Sequence, residues 1–508
     1  MRATLATPTL GQLLAGYTPI SAAWAAEPIT GLATDSRVIR PGEVFFALHG
    51  EKHHGLKFFD AVQAAGAAAI VWEPPYDDSV TVSGQEIPLV AVSQLRQKLG
   101  PISARYWGEP SRHLRVVGIT GTDGKTSCAH FIAQALSDND SAACGILGTL
   151  GIGSYGRVQP SVHTTPDPLA VQSWLAGLRA ADRRCAAMEV SSHALEQGRV
   201  NGIEFAVAVL TNLTRDHLDY HGSLEAYAAA KRRLFLEHRP HWSILNLDDA
   251  FGRQLTVDLH PSAHKVGYGF NARSDELTHF VGCDSLVLTP AGLRMQVRSS
   301  WGDGELQVGL LGRFNAHNLL ATLATLLVLD MPFAEAMERV ARTATVPGRM
   351  ERWGGVGGQP LVVVDYAHTP HALEQVLSTL REHGGRRLWC LFGCGGDRDP
   401  GKRPLMGAVA ERLAARVIVT DDNPRTEDPD RIVSDILAGL HDPHNALVIR
   451  DRRAAIERAL TDAGADDIVL VAGKGHEDYQ IIGTERLPFS DRLIVRQCLA
   501  SDHQDEAA

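Results

Sequence analysis

Val116-Val117-Gly118-Ile119-Thr120-Gly121-Thr122-Asp123-Gly124-Lys125-Thr126-Ser127 is the stretch on which the reading of this chain turns. The apolar run Leu114 to Ile119 predicts a buried strand. A glycine-rich turn follows, and Cys128, Phe131, Ile132, Ala135 and Leu136 then recur at helical spacing. Strand, glycine loop and helix N-terminus together make a phosphate cradle. Glycines let backbone N–H groups close on an anion, and the helix end adds partial positive charge. Lys125 is expected to reach terminal phosphates and the Thr126 hydroxyl to ligate Mg²⁺. Counted from Gly118, five residues precede the Gly124-Lys125 pair, where the usual pattern has four.

Outward from this loop the middle of the chain repeats a strand-then-helix rhythm. Cys144 to Leu147, Cys185 to Val190, Phe205 to Leu210 and Ser243 to Leu245 are strand-length apolar runs, with helical patterns at Leu169 to Ala180 and Leu224 to Glu237. Such alternation predicts a mostly parallel sheet covered on both faces. In such sheets ligands gather at the carboxyl ends of strands. Polar motifs stand there: Glu189 with Ser191 and His193 after one strand, and Thr211 to His217 after another. Glu189 and His217 could hold Mg²⁺ against ATP, although a carboxylate at a helix start is also a common satisfied group. Gly312-Arg313 introduces a helix carrying Asn315 and Asn318.

From about residue 346 a second strand–helix series begins, with strands Leu361 to Val364, Leu388 to Phe392, Val417 to Thr420, Leu447 to Ile449 and Ile468 to Ala472. It lacks a G-x-G-x-x-G fingerprint, so NAD is not expected. Arg349, at the hinge before it, could reach phosphates. Asp365 and His368 close its first strand as nucleotide contacts. Arg398, the loop Asp422-Asn423-Pro424-Arg425, and Gly473 with Glu477 offer guanidinium groups for carboxylates, and carboxylates and amides for an ammonium. Residues before about 110 suggest a small α/β domain, with Pro101 to Pro110 as its connection to the next.

At 508 residues the chain is too long for one core. A net charge of −10 argues against a nucleic-acid partner. No apolar run approaches the ~18 residues of a membrane span. Ala22 to Ala26 looks like a cleavage site, but no apolar h-region precedes it. The seven cysteines show no zinc-site spacing, and a reducing cytoplasm is the simplest reading.

Together, Gly121 to Ser127, Met188 to His193, Thr211 to Tyr220, Gly348 to Glu351 and Asp365 to Pro370 resemble the Mur ligases, in that family's order, from Thr34 nearly to the C-terminus. The resemblance implies three α/β domains. Residues 1–110 would bind a UDP-sugar peptide. Residues 111–345 would bind ATP on a P-loop-type, mostly parallel sheet with helices on both faces. Residues 346–508 would form a dinucleotide-fold-like domain for the amino acid. The implied reaction activates a D-glutamyl carboxylate with ATP and Mg²⁺ and joins it to an amine, in peptidoglycan precursor synthesis.

By the same resemblance, Lys125, Glu189, His217, Lys231 and Arg349 are the catalytic set, and Lys231 is a carbamylated lysine that ligates a second Mg²⁺. ATP meets Gly121, Thr122, Asp123, Gly124, Lys125, Thr126, Ser127, Asn318, Arg349, Asp365 and His368. The UDP-linked dipeptide meets Thr34, Ser36, Glu51, Lys52 and His53, and further along His163, Thr164, Thr165, Ser191, Gln197 and Arg199. The Asp422 to Arg425 loop resembles that of members adding meso-diaminopimelate, which would also meet Arg398, Gly473 and Glu477; lysine-adding members differ there. Asp123 and His163 stand where the family usually has Asn. The expected partners are these small molecules, and a monomer is the expected state. A lysine-adding ligase and a folate-polyglutamate-type ligase are same-class alternatives, the latter opposed by the first domain. A non-catalytic ATP-binding regulator, suggested by Asp123, is the alternative of another class.

Overall fold

The computed structural model describes residues 7–50, 53–76, 87–137, 144–161, 163–270, 272, 277–384 and 387–505. They form two compact units, Met1–Val281 with Ala321–Met331, and Gly282–Leu320 with Pro332–Ala508. The chain passes between them within the strand His279–Thr289, within the helix Arg313–Val328 and again after Met331.

Two sheets organise the first unit. The smaller is parallel throughout, in the order Gly31–Ala33, Glu43–Ala47, Ala69–Trp72, Leu89–Ala91. The larger sets six strands parallel: His264–Gly269, Trp242–Asn246, Val207–Leu210, Arg115–Thr120, Cys185–Glu189 and Gly145–Gly148. Two antiparallel strands, Gly151–Ser154 and Arg157–Gln159, extend it. Val116, Val117 and Ile119 are fully buried, as both-face coverage of a parallel sheet requires. The strand–helix rhythm and the mostly parallel sheet are therefore as expected.

Gly118 falls within the apolar run read as a strand, as expected. It lies inside the strand Arg115–Thr120, paired with Met188 and Ala208, so it does not open the phosphate loop. A Cβ there would come within 2.6 Å of the Phe205 ring. Glycine at this position serves packing beneath an aromatic ring. The loop itself starts at Gly121, after the strand Arg115–Thr120.

Pro101 is a correction. It does not begin a connection but lies within the helix Leu95–Tyr106, whose Leu95, Leu99 and Ile102 are buried. A proline removes one N–H and strands the carbonyl four residues earlier. That carbonyl belongs to Gln97, and the Asn201 side-chain amide donates to it at 2.9 Å. The same amide also reaches Gln97 Oε1 at 3.0 Å. Gly202 presses against the proline so closely that a Cβ would sit 2.7 Å from Pro101 N. The cost of an interior proline is thus offset by a partner from a loop about a hundred residues away.

In the second unit, a six-stranded sheet runs Glu351–Gly354, Leu361–Asp365, Ile468–Ala472, Leu388–Phe392, Arg416–Val419, Ala446–Val448, parallel except for the first strand. Its apolar residues pack against helices including Pro370–Glu382 and Lys402–Leu413. The antiparallel strands Gly292–Ser299 and Gly302–Val308, and the hairpin Tyr479–Ile482/Glu485–Pro488, went unpredicted. Among the described residues no helix is long and apolar enough to cross a membrane.

Asn201→Ala should leave the Gln97 carbonyl unpaired and cost about 1–2 kcal/mol, read as a lowered melting temperature. Adding Pro101→Ala should restore a helical N–H to that carbonyl and recover most of the loss. A double variant no more stable than Asn201→Ala would contradict this account.

Candidate functional site

The loop Gly121–Gly124 links the buried strand Arg115–Thr120 to the helix Lys125–Ala135. Gly121 has φ +148° and a Cβ there would lie 1.8 Å from Thr211 Oγ1. Gly124, at φ +81°, is the left-handed residue that starts the helix. Thr211 and Asn212 hold the loop from the neighbouring strand end. Asn212 Oδ1 accepts from Asp123 N–H at 2.9 Å. Asp123 O accepts from Thr211 Oγ1 at 2.6 Å and Asn212 Nδ2 at 3.2 Å. Asp123 thus binds its neighbours through its backbone, and the residue is exposed. The bonds that hold the cradle use its backbone N–H and carbonyl.

Two lysine nitrogens meet at one carbonyl. Lys125 Nζ donates to Gly121 O at 2.9 Å and Thr122 O at 2.8 Å. Lys231 Nζ, on the helix Leu224–Leu236, donates to the same Gly121 O at 2.7 Å. It also sits 4.3 Å from the Tyr227 ring centroid. Burial, then the Lys125 charge, pushes the Lys231 amine down to about 6, against the pull of Asp216 and Asp123. A lysine that is neutral at physiological pH is a nucleophile rather than a solvated cation.

Glu189 ends its strand almost fully buried. Burial raises its pKa, and the Lys125 charge and hydrogen bonds from Thr149 and Thr126 act the other way. Thr126 Oγ1 donates to Oε2 at 3.0 Å and Thr149 N–H to Oε1 at 2.8 Å. Thr149, missed in the sequence, sits on a turn where Gly148 passes so near that a Cβ would fall 2.0 Å from Glu189 Oε1. The Thr126 hydroxyl and Glu189 carboxylate form an oxygen pair of the kind Mg²⁺ prefers. Among the described residues no three His, Cys, Asp or Glu side chains could hold a metal between them.

Around this centre, Thr165 Oγ1 donates to Glu189 O at 2.8 Å and accepts from Ser191 N–H at 3.1 Å. Arg199 donates to Thr165 O at 2.8 Å and to Gln197 Oε1 at 2.7 Å. Thr164 Oγ1 is 3.3 Å from Thr149 Oγ1, and His163 is exposed nearby in sequence. Five of the predicted residues, Thr164, Thr165, Ser191, Gln197 and Arg199, are thus linked by hydrogen bonds around the end of the strand Cys185–Glu189. His217 is exposed, at φ +51°, with its Nε2 3.4 Å from Asp216 Oδ2. Its ring packs edge-on to His193 at 5.0 Å and lies 6.0 Å from Tyr227. In the smaller sheet's loops, Thr34 and Ser36 flank Asp35, which Arg37 holds down to about 2 by hydrogen bonding. His53 O accepts from Gly50 N–H at 3.0 Å. Glu51 and Lys52 lie outside the described residues.

The second unit carries the other groups. Asp365, pushed up by burial against hydrogen bonds from Met350 and the Arg349 charge, accepts from Met350 N–H at 2.7 Å and Ala367 N–H at 2.8 Å. The Arg349 guanidinium lies 5.0 Å from the Tyr366 ring centroid, within cation–π range. His368 Nδ1 is 2.8 Å from Tyr366 O. Thr369 caps the following helix. Asn318 is buried, its amide donating to Asn315 Oδ1 at 3.2 Å.

A tight polar cluster forms at the ends of the strands Arg416–Val419 and Ile468–Ala472. Lys474, which sequence reasoning passed over between Gly473 and Glu477, is fully buried at its centre. Its Nζ donates to Asn423 Oδ1 at 3.0 Å, Asp422 Oδ1 at 3.3 Å and Glu477 Oε2 at 3.3 Å. Arg425 adopts φ +52° beside Pro424 and donates to Gly396 O at 2.8 Å. Arg398 is exposed, its side chain passing 3.6 Å from where a Gly395 Cβ would be. Two guanidinium groups beside a carboxylate-rich cluster suit a ligand bearing both carboxylate and ammonium.

Family models match in three consecutive pieces: Mur ligase family, catalytic domain over residues 28–107; Mur ligase middle domain over 119–326; and Mur ligase, glutamate ligase domain over 348–475. A UDP-N-acetylmuramoyl-L-alanyl-D-glutamate–2,6-diaminopimelate ligase from Alkalilimnicola ehrlichii is 50% identical over 94% of this chain and 95% of its own. That of Pseudomonas putida is 49% identical over 93% and 95%. A solved structure of a ligase of the same name superposes with a TM-score of 0.77 at 36% identity, covering 98% of this chain and 99% of that one. Crystal structure II of MurF from Acinetobacter baumannii, at 20% identity and a TM-score of 0.60, shares the fold.

Gly121→Ala should drive its Cβ into Thr211 and open the loop. Nucleotide affinity measured by titration calorimetry should fall at least about tenfold, or ~1.4 kcal/mol, with the circular dichroism spectrum unchanged. Unaltered affinity would show that the close approach is dispensable.

Proposed function

Since the chain belongs to the Mur ligase family, a family of ATP-dependent ligases, we propose that it joins meso-diaminopimelate to the D-glutamyl γ-carboxylate of UDP-N-acetylmuramoyl-L-alanyl-D-glutamate, forming ADP and phosphate. The observation that carries this reading is the Asp422 to Arg425 loop with Glu477 and Arg398, whose charges complement a group bearing an ammonium and a carboxylate. Lysine, with only an ammonium at its far end, would leave the guanidinium groups without a counter-charge. We infer three functional regions: 1–110 for the UDP-linked substrate, 111–345 for ATP and 346–508 for the amino acid. We assign the protein to the cytoplasm, as a monomer.

The chemistry follows from the poor electrophilicity of a carboxylate. One γ-carboxylate oxygen attacks the γ-phosphorus of ATP in line, the bond to the bridging oxygen breaks, and ADP leaves. The resulting acyl phosphate carries a good leaving group. The deprotonated amine of diaminopimelate attacks the acyl carbon, phosphate departs from the tetrahedral intermediate, and the amide remains. Phosphoryl transfer depends on alignment and charge neutralisation rather than covalent help. Lys125, released from Gly121 O and Thr122 O, would follow the terminal phosphates, and Arg349 would supply a second cation. Gly121, Thr122, Asp123, Gly124 and Ser127 would offer backbone and hydroxyl groups to the phosphates. Asn318, Asp365 and His368 would contact the remainder of ATP, though Asp365 already accepts two backbone bonds.

Thr126 and Glu189 would hold Mg²⁺, which neutralises phosphate charge when bound. The depressed Lys231 amine supports the carbamate. Its neutral nitrogen adds to carbon dioxide with loss of one proton, replacing a cation by an anion. With His217, that anion would complete the metal-binding residues. The UDP-linked dipeptide would meet Thr34, Ser36, Glu51, Lys52 and His53 through its nucleotide end, and His163, Thr164, Thr165, Ser191, Gln197 and Arg199 through its peptide.

Incubation with ATP, Mg²⁺ and the UDP-linked dipeptide should release phosphate and give the tripeptide mass with diaminopimelate but not with lysine or glutamate. Phosphate release with none of these amines would sink the ligase reading, and product with lysine alone would sink the specificity. Lys125→Ala should abolish turnover. Arg425→Ala should raise the KM for the amino acid far more than that for ATP; equal shifts would contradict the site.

The carbamate requires the neutral amine, so its population should be full above about pH 6 and fall as pH drops through it. Mass spectrometry under native conditions should find one added carbon dioxide on Lys231. Turnover in carbon-dioxide-free buffer should fall and recover with bicarbonate. Turnover indifferent to bicarbonate, with no added mass, would exclude the modification.

A further inference from the structure

We propose that Lys474 is the positioning residue of the amino-acid pocket, an inference that rests on the function proposed above. Its ammonium has three hydrogens, and each is matched to an acceptor on a different residue: Asp422, Asn423 and Glu477. It is fully buried. With all three donors engaged, Lys474 has nothing left for a ligand. Its action is on its neighbours.

Three consequences follow from that geometry. First, Asn423 is locked in one orientation. Its Oδ1 accepts from both Lys474 and Ile481 N–H, the latter at 2.9 Å, so its Nδ2 must turn to Glu477, at 3.1 Å. Second, Asp422 and Glu477 each give one oxygen to Lys474, Oδ1 and Oε2, which fixes where the other oxygen points. Asp422 Oδ2 faces Gly473, where a Cβ would come within 2.7 Å. Third, two carboxylates and one ammonium leave a single excess negative charge. That value suits one ligand ammonium, while Arg425 and Arg398 stand by for the accompanying carboxylate.

The hairpin Tyr479–Ile482/Glu485–Pro488 backs this arrangement from the other side. Gln480 Nε2 donates to Asp422 O at 2.8 Å. Arg425 N–H donates to Ile481 O at 3.0 Å and Gly483 N–H to Arg425 O at 2.8 Å. These bonds hold Arg425 in its left-handed conformation, which a side chain rarely adopts unaided. The loop that reads the amino acid is therefore fixed twice, by a buried cation and by a backbone clasp.

The test separates amino-acid recognition from the rest of catalysis. In full-length protein, Lys474→Met should raise the KM for diaminopimelate at least about tenfold, while the KM for ATP and for the UDP-linked dipeptide stay within about twofold. Gln480→Ala, which removes one hold on the same loop without unpairing a buried charge, should raise the same KM about threefold and no other. If Lys474→Met does not fold, Gln480→Ala decides. Diaminopimelate KM values unchanged in every folded variant, or rises shared equally by all three substrates, overturn the proposal while wild-type turnover stands. A wild-type protein that makes no product with diaminopimelate overturns the functional reading, and this inference with it.

Discussion

The geometry of the first unit depends on how closely two strand-end loops can approach, and that distance is set at Gly121. With no Cβ to hold it off, the loop settles against Thr211 and Asn212, and three hydrogen bonds from those residues fix Asp123. The Gly121 carbonyl is then presented where two lysines can reach it. One of them, Lys231, is buried beside the other's positive charge, which lowers its own affinity for a proton. A single absent methyl group thus leads through packing to electrostatics and from there to reactivity. Gly148 repeats the device on a smaller scale, letting the Thr149 turn close over Glu189.

The second unit solves a different problem. It gathers two carboxylates, Asp422 and Glu477, at one point, where their mutual repulsion would open the cluster. Burying a lysine among them neutralises one charge, and its hydrogen bonds repay its desolvation only because each has a well-placed acceptor. The pair Arg452–Asp491 does similar work deeper in the same unit: it is fully buried, bonded at 2.7 Å, and also donates to Ala472 O. The strand that leads to Lys474 is anchored by that contact.

Much of this was legible in the sequence. Strands buried on both faces read as continuous apolar runs, so Val116, Val207 and Val469 announced themselves. Motif residues at strand ends were found because charged groups there break an apolar pattern. What escaped were features whose meaning lies in a distant partner. Why a glycine stands at position 118 of a buried strand is not visible until Phe205 is seen against it. Pro101 reads as a break until Asn201 supplies the missing donor. Lys474 looks like an ordinary surface lysine between two glycines, since one-dimensional pattern cannot distinguish a solvated ammonium from one enclosed by three acceptors. The antiparallel strands from Gly292 to Val308 were missed because alternating polar residues there, exposed on one face, resemble loop composition.

The bond between Asn201 and the proline-bearing helix also bears on how such a protein can be assembled from parts. Family models divide the chain near residue 110, yet residues 1–281 pack as one body. Asn201 and Gly202 belong to the central region, but they complete a helix that belongs to the first. That helix carries a proline whose stranded carbonyl is paired from the central region. The first domain is therefore not an interchangeable module. A recombination that exchanged it for a relative's would set a new helix against the Asn201 amide and Gly202, and any carbonyl not placed as that of Gln97 would lose its partner.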